Sequence, residues 1–169
     1  MKIIIILAIL SVFFLSCSHQ QMTNKTVVNL DSKSNSNASG VITIWETKDS
    51  IKVTANIKNL KPNSEHGFHI HEKGDCSAKD AKSAGGHFSP ETSKHGSPDN
   101  MHHHLGDMGN LESDASGNAT KTIVIKKLNI SQNDKFSVKG KAFIVHQDQD
   151  DMTSQPSGNA GARIACGVI

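Results

Sequence analysis

The sequence predicts an all-β domain of eight short antiparallel strands closed into a flattened barrel or sandwich, interrupted by two long functional loops. Three observations carry this expectation. From Thr26 onward, short segments rich in Val, Ile and Thr recur between clusters of Asn, Ser, Gly and Asp, the texture of strands and turns. Several segments alternate: in Ile51-Lys52-Val53-Thr54-Ala55-Asn56-Ile57 every odd position is apolar and every even one polar, so one face is buried and the other meets water. Two stretches, 72–109 and 147–161, break the spacing and exceed the length at which structureless loops become uncommon, so each needs an anchor.

The chain opens differently. Lys2 precedes an apolar run from Ile3 to Leu15, and Leu15-Ser16-Cys17 follows. The run is short for a membrane span, and the whole resembles a bacterial lipoprotein signal peptide, with Phe14 where a leucine is usual. The expected division is a signal peptide over 1–16, a lipidated Cys17 with a flexible tether over 17–25, and one domain over 26–169. An ordinary cleaved signal is the alternative; either way the protein leaves the cytoplasm. Loss of residues 1–16 removes Lys2, so the formal charge of +2 becomes +1. A nearly neutral chain with no basic patch gives no sign of nucleic-acid binding.

Eight strands are expected at 26–30, 40–46, 50–58, 66–71, 111–113, 120–125, 140–146 and 162–168. Such a set closes on itself as a barrel or sandwich. The run QDQDDMTSQPSGNAG in the second long loop has no apolar content of its own, and is expected to dock on the first. Three cysteines would leave one spare thiol outside the cytoplasm. Lipidation of Cys17 removes the oddity and leaves Cys76 and Cys166 as a pair. A bridge closing so long a loop would stabilise the fold by about 4 kcal/mol; a thiolate metal site is the alternative.

Eight of the ten histidines lie between His66 and Asp107. His69 and His71, two apart on a strand, leave the same face and can reach one ion. His146 ends another strand and could complete that site. An imidazole set suits copper, zinc, iron or nickel, and no Met or Cys stands at a spacing that would make a blue-copper site. His87, His95, His104 and Asp107 form a second set of three nitrogens and a carboxylate, which matches closed tetrahedral zinc. Any one of these histidines alone would be read as structural or exposed.

These residues sit in Gly67-Phe68-His69-Ile70-His71, Gly86-His87-Phe88-Ser89-Pro90, Lys94-His95-Gly96, His104-Leu105-Gly106-Asp107, Val145-His146 and the run from Gly158 to Val168. Over residues 26–169 the chain resembles the copper–zinc superoxide dismutases of the bacterial, exported kind. The resemblance implies a Greek-key, immunoglobulin-like barrel and dismutation of superoxide to oxygen and hydrogen peroxide, as antioxidant defence in the periplasm or cell envelope. It implies copper on His69, His71, His87 and His146, zinc on His87, His95, His104 and Asp107, and therefore His87 as a bridge and a proton carrier. Arg163 would stand beside the open copper position and attract the superoxide anion. Asp150 would accept hydrogen bonds from His69 and His95. Cys76 and Cys166 would form the disulfide, and His66 would be a structural residue behind the copper strand. His102 and His103 are expected at the surface. The 147–161 loop is shorter than in the animal enzymes, so its charged steering residues do not carry over. Monomer and homodimer both stay open. A metal-storage lipoprotein without catalysis is the rival reading, against which Arg163 speaks, since storage needs no guanidinium beside an open coordination position.

Overall fold

A computed structural model describes residues 24–131 and 133–169; the expected signal peptide, Cys17 and most of the expected tether lie outside the described residues. Eight strands form: β1 (Asn24–Ser32), β2 (Ser39–Glu46), β3 (Ser50–Lys58), β4 (Glu65–His71), β5 (Asp107–Glu112), β6 (Ala119–Lys126), β7 (Ala142–His146) and β8 (Arg163–Val168). Their order around the sheet is β5-β4-β7-β8-β1-β2-β3-β6, with every pairing antiparallel. The outer strands β5 and β6 approach each other, so the sheet is a nearly closed barrel. β3 pairs with β6 and β4 with β7, the crossed connections of a Greek key.

The alternation read from the sequence decides which side chains face in. Ile51, Val53, Ala55 and Ile57 of β3 are buried, as are Ile42 and Ile44 of β2 and Val28 and Leu30 of β1. Across the barrel they meet Phe68 and Ile70 of β4 and Phe143 and Val145 of β7. The Phe68 and Phe143 rings stack with centroids 5.7 Å apart. Burial of such side chains contributes roughly 1.5–3 kcal/mol each, enough to make a rigid frame.

The strand edges differ from expectation at several ends, three of which bear on the tether and the site. β1 starts at Asn24, because Asn24 and Lys25 pair with Glu46 and Trp45, so two residues assigned to the tether belong to the sheet. β5 begins at Asp107, four residues before the expected 111. Gly109 takes a φ of 73° and the β4–β5 ladder shifts register between Gly67 and His69; this bulge lets the Gly-rich segment pair, and Asp107 comes opposite His69. β7 starts at Ala142, since Gly140 turns at φ 71°.

The two long loops lie against the outer side of β4 and β7. Cys76 of the first is joined to Cys166 of β8 with Cα atoms 5.8 Å apart. Cys166 packs with Ala81, Ala84, Ala142 and Ile144, so the bridge fastens the loop to the sheet through a small apolar patch. The second loop docks on the first as expected: the Gln155 amide accepts from the His95 N–H and donates to the His95 carbonyl, both at 2.9 Å.

Cys166→Ser should lower unfolding stability by about 2–5 kcal/mol under oxidising conditions. Chemical denaturation of parent and variant, with and without reductant, reads this; an unchanged midpoint would mean the bridge does not constrain the unfolded chain.

Candidate metal centre

Along β4, His66, Phe68 and Ile70 point into the barrel, while Gly67, His69 and His71 point out under the loops. All six are buried, because the loops cover what would otherwise be a wet face. His87 is brought to this face by a strand-like pairing of the first loop. Glu72 N–H donates to the Gly86 carbonyl, Phe88 N–H to Ile70, Ile70 N–H to Gly106 and Gly106 N–H to Phe88, at 2.8–2.9 Å. A side chain at position 106 would collide with the Ile70 carbonyl, so this close crossing needs glycine. His146 arrives from the end of β7, where the ladder to β8 shifts between Val145 and His146 and sets His146 opposite Arg163. His66 Nδ1 donates to the His146 carbonyl at 3.0 Å, holding that strand end from the core side.

His69, His71, His87 and His146 each offer one nitrogen, and these lie within 4.8 Å of one another. Four ring nitrogens, His69 Nδ1, His71 Nε2, His87 Nε2 and His146 Nε2, are buried with no hydrogen-bond partner among the described residues. The opposite nitrogen of each ring is engaged: His69 Nε2 by Asp150, His71 Nδ1 by the Gly85 carbonyl, His87 Nδ1 by Asp107 and His146 Nδ1 by the Gly161 carbonyl. An outer partner on one nitrogen fixes the tautomer and aims the lone pair of the other. Burial, reinforced by neighbouring imidazoles and Arg163, holds His71 and His146 well below the ordinary histidine range. Burial likewise pushes His87 down to about 4, against the pull of Asp107. Neutral rings with converging free nitrogens are what an imidazole-binding cation requires.

The second group gathers on one carboxylate. Asp107 Oδ1 stands 2.7 Å from His87 Nδ1, 3.1 Å from His95 Nδ1 and 3.3 Å from His104 Nδ1. Ligands on a tetrahedral zinc ion with bonds of 2.0–2.1 Å are separated by about 3.3 Å, so the donor set already has nearly the right edges. Asp107 Oδ2 is held by the backbone N–H groups of Gly96 and His104, at 3.1 and 2.9 Å. His95 Nδ1 lacks the alignment of a hydrogen bond and counts as unpartnered. Burial works against charge on His95, yet the carboxylates of Asp107 and Asp150 outweigh it and raise the ring to about 9. Burial works against charge on Asp107, yet the three imidazoles drive it far below the usual carboxylate range. One cation among these four would take over the role of the proton. His87 is the residue common to both groups.

A family model described as copper/zinc superoxide dismutase matches residues 38–169. The chain belongs to the copper/zinc superoxide dismutase family. It is 41% identical over 133 residues to superoxide dismutase [Cu-Zn] 2 of Aquifex aeolicus, covering 77% of this chain and 78% of that one. It is 45% identical over 143 residues to the superoxide dismutase-like protein YojM of Bacillus subtilis, covering 78% and 69%. The crystal structure of a SOD-like protein from Bacillus subtilis superposes with a TM-score of 0.75 at 36% identity, covering 83% of this chain and 95% of that one. Superoxide dismutase activity, with copper and zinc as the metals, follows from this membership together with the two donor groups.

Around a dismutase site, the groups that hold the ligands matter as much as the ligands. The Asp150 carboxylate lies between the two donor groups, with Oδ2 2.8 Å from His69 Nε2 and Oδ1 2.9 Å from His95 Nε2. Burial opposes its charge, but these two rings hold it well below the usual carboxylate range. A side chain at Gly158, whose φ is 68°, would strike this carboxylate. Arg163 donates from Nη1 to the Ala81 carbonyl at 2.8 Å and from Nη2 to Gly85 at 2.7 Å. Gly85 O thus accepts from both Arg163 and His71, which seats the guanidinium beside the first donor group. His102 is exposed, and His103 donates to the His104 carbonyl at 2.6 Å; neither enters a donor group.

Sequence reasoning missed two residues. Asn110 of β5 clamps the Asp150 backbone from both sides, accepting from its N–H at 2.8 Å and donating to its carbonyl at 2.9 Å. Gln155 clamps His95 in the same way. Neither carries a sequence signal, since each acts only once the second loop has docked. Asp151 organises that loop by accepting from Thr153, Ser154 and Asn159.

Asp150→Ala should therefore weaken metal retention by about 10 to 100-fold, zinc most of all, whereas Asp148→Ala should change it little. Competitive chelation of the two variants decides this. Equal loss from both, or from neither, would mean that Asp150 does not orient the rings.

Proposed function

We propose that His69, His71, His87 and His146 hold copper, that His87, His95, His104 and Asp107 hold zinc, and that His87 bridges the two. The observation carrying this is the convergence of four buried, otherwise unpartnered ring nitrogens on one point, and of three ring nitrogens on the Asp107 carboxylate at a second, with His87 in both groups. Copper, when bound, supplies a one-electron couple, so that two superoxide anions and two protons become one oxygen and one hydrogen peroxide. The protein's residues do the rest. With both sites filled, His87 would hold a metal on each ring nitrogen and would carry no ring proton; its Nε2 is the atom that would take up a proton and return it. Asp107 and Asp150 fix the zinc-side rings so that His87 keeps its place while its Nε2 exchanges. Arg163, fastened to Ala81 and Gly85, supplies fixed positive charge beside His71 and His146 for a small anion arriving by diffusion.

A second reading, metal binding without catalysis, has one point in its favour: a relative at 45% identity is named only superoxide dismutase-like. The anchored guanidinium argues for catalysis. Dismutation by the copper- and zinc-loaded protein, with metal analysis of the same sample, separates the two; full metal without activity overturns the enzymatic assignment of these residues. In the same assay Arg163→Glu should slow the reaction by about tenfold or more at low salt and reverse its salt response, with Arg163→Lys intermediate. Undiminished activity in Arg163→Glu would remove Arg163 from the site.

The leader supports a place for this chemistry in the bacterial cell envelope, as a lipoprotein anchored through Cys17 with residues 18–23 as the spacer. Cys17→Ala should then float free of membranes in a density gradient while keeping its activity. Membrane association equal to the parent's would rule the anchor out.

A further inference from the structure

Four strands, β1, β2, β3 and β6, turn their outer face to solvent, and its composition is one-sided. The cross-strand rows are Lys25-Trp45-Lys52-Val124, then Val27-Thr43-Thr54-Thr122, then Asn29-Val41-Asn56-Thr120. Val27, Val41 and Val124 are exposed at 52%, 40% and 58%, large values for valines in the middle of strands. The charges on these outward positions are Lys25, Lys52, Lys58 and Lys126, and one acid, Asp31, at the far end of β1 where it pairs with β8. The β2–β3 turn adds Lys48 beside Asp49. Lys25 Nζ lies 5.4 Å from the centre of the Trp45 ring.

The first row, with its two lysines, tryptophan and valine, is at the end of the sheet where the chain enters β1. From Cys17 to Asn24 there are seven peptide steps, a reach of at most about 25 Å when fully extended. Tryptophan and lysine are the residues that settle at a membrane–water boundary, the ring at headgroup depth and the ammonium among the phosphates. Basic side chains within a Debye length of an anionic leaflet are attracted to it. We infer that this Lys25-Trp45-Lys52-Val124 face docks on the anionic membrane surface to which Cys17 tethers the chain, an inference that rests on the lipid anchor proposed above. The occupant is the lipid headgroup layer, selected by the short spacer, the row of lysines and the exposed valines behind them.

Such docking leaves the metal centre open. β2 and β3 stand four places round the barrel from β4 and β7, whose outer face carries His69, His71 and His146. A membrane against the first face turns the second toward the surrounding fluid, from which the anion must come.

Trp45 is the single tryptophan of the chain and so reports on its own face. The full lipidated protein is reconstituted into vesicles of phosphatidylglycerol with phosphatidylethanolamine, or into vesicles of phosphatidylcholine alone, each with a trace of headgroup-proximal spin-labelled lipid. Trp45 emission should be blue-shifted and quenched in the anionic vesicles. Quenching should fall by about tenfold in phosphatidylcholine, at high salt, or in Lys25→Glu with Lys52→Glu, while the protein still floats with every vesicle. Flotation without quenching in anionic vesicles would overturn the docking and leave the anchor standing. Failure to float would remove the anchor and the docking with it. Quenching indifferent to lipid charge and to the lysine changes would overturn the electrostatic basis. Blue-shifted, unquenched emission that grows with protein density would assign the face to a second copy of the chain instead.

Discussion

The structure depends on the burial of imidazole lone pairs that no protein group meets. A buried polar atom without a partner costs roughly 1–3 kcal/mol, and here four such nitrogens face one point and a fifth, on His95, faces a second. A fold would not collect them unless something else repaid the cost, and a cation does so for several at once. The remaining nitrogens are spent on fixed acceptors, so the rings cannot turn to find other partners. The same circumstance explains the opposed ionisation of the two groups. Where only imidazoles meet, burial keeps them neutral; where Asp107 and Asp150 join, His95 is driven toward its charged form.

Those fixed acceptors come from loops, and the loops are rigid only because they are fastened to the barrel and to each other. Cys76 ties the first loop to β8, and Arg163, on the same strand, ties it again through the carbonyls of Ala81 and Gly85. The second loop buries little apolar surface beyond Ala160 and is held mainly by polar clamps, Gln155 on His95 and Asn110 on Asp150. A redox ion should find nearly the same ligand positions in both of its states, which favours a site whose first ring of contacts is itself locked. Here the locking contacts end on another side chain or on loop backbone, and those loops are themselves fastened by the disulfide, the guanidinium and the two amide clamps.

The alternation of β2 and β3 was legible in the sequence because each residue's side is set locally by strand geometry, and the two sides face such different media. The donor set was legible because histidine is rare in loops and its spacing matched a known family. β5 was read short: Gly106 and Gly109 look like loop residues, whereas one is required by a close backbone crossing and the other by a bulge that lets Asp107 enter the sheet opposite His69. Asn110 and Gln155 were invisible, since an amide that clamps a backbone leaves no trace until the backbone it clamps is in place. Asp150 and Asp151 are chemically identical neighbours with different tasks, one aimed between two rings and the other folding its own loop. Only the turn conformation tells them apart, and a family resemblance supplied the correct one where periodicity could not.

β4 shows how closely core and site are joined. With a period of two, its inward positions give His66, Phe68 and Ile70 to the barrel and its outward ones give Gly67, His69 and His71 to the loops. Phe68 stacks on Phe143 of β7, and His66 holds the carbonyl of His146 at the end of that same strand. The separation of His69 and His71 from His146 is thus the separation of two neighbouring strands, set by their backbone hydrogen-bond ladder and braced from the core side by two stacked phenyl rings and one hydrogen bond. Close-packed interiors do not deform continuously, so a core change at Phe68 or Phe143 would move the strand and its histidines together. The metal geometry is determined as much by the apolar face of β4 as by the face that carries the ligands.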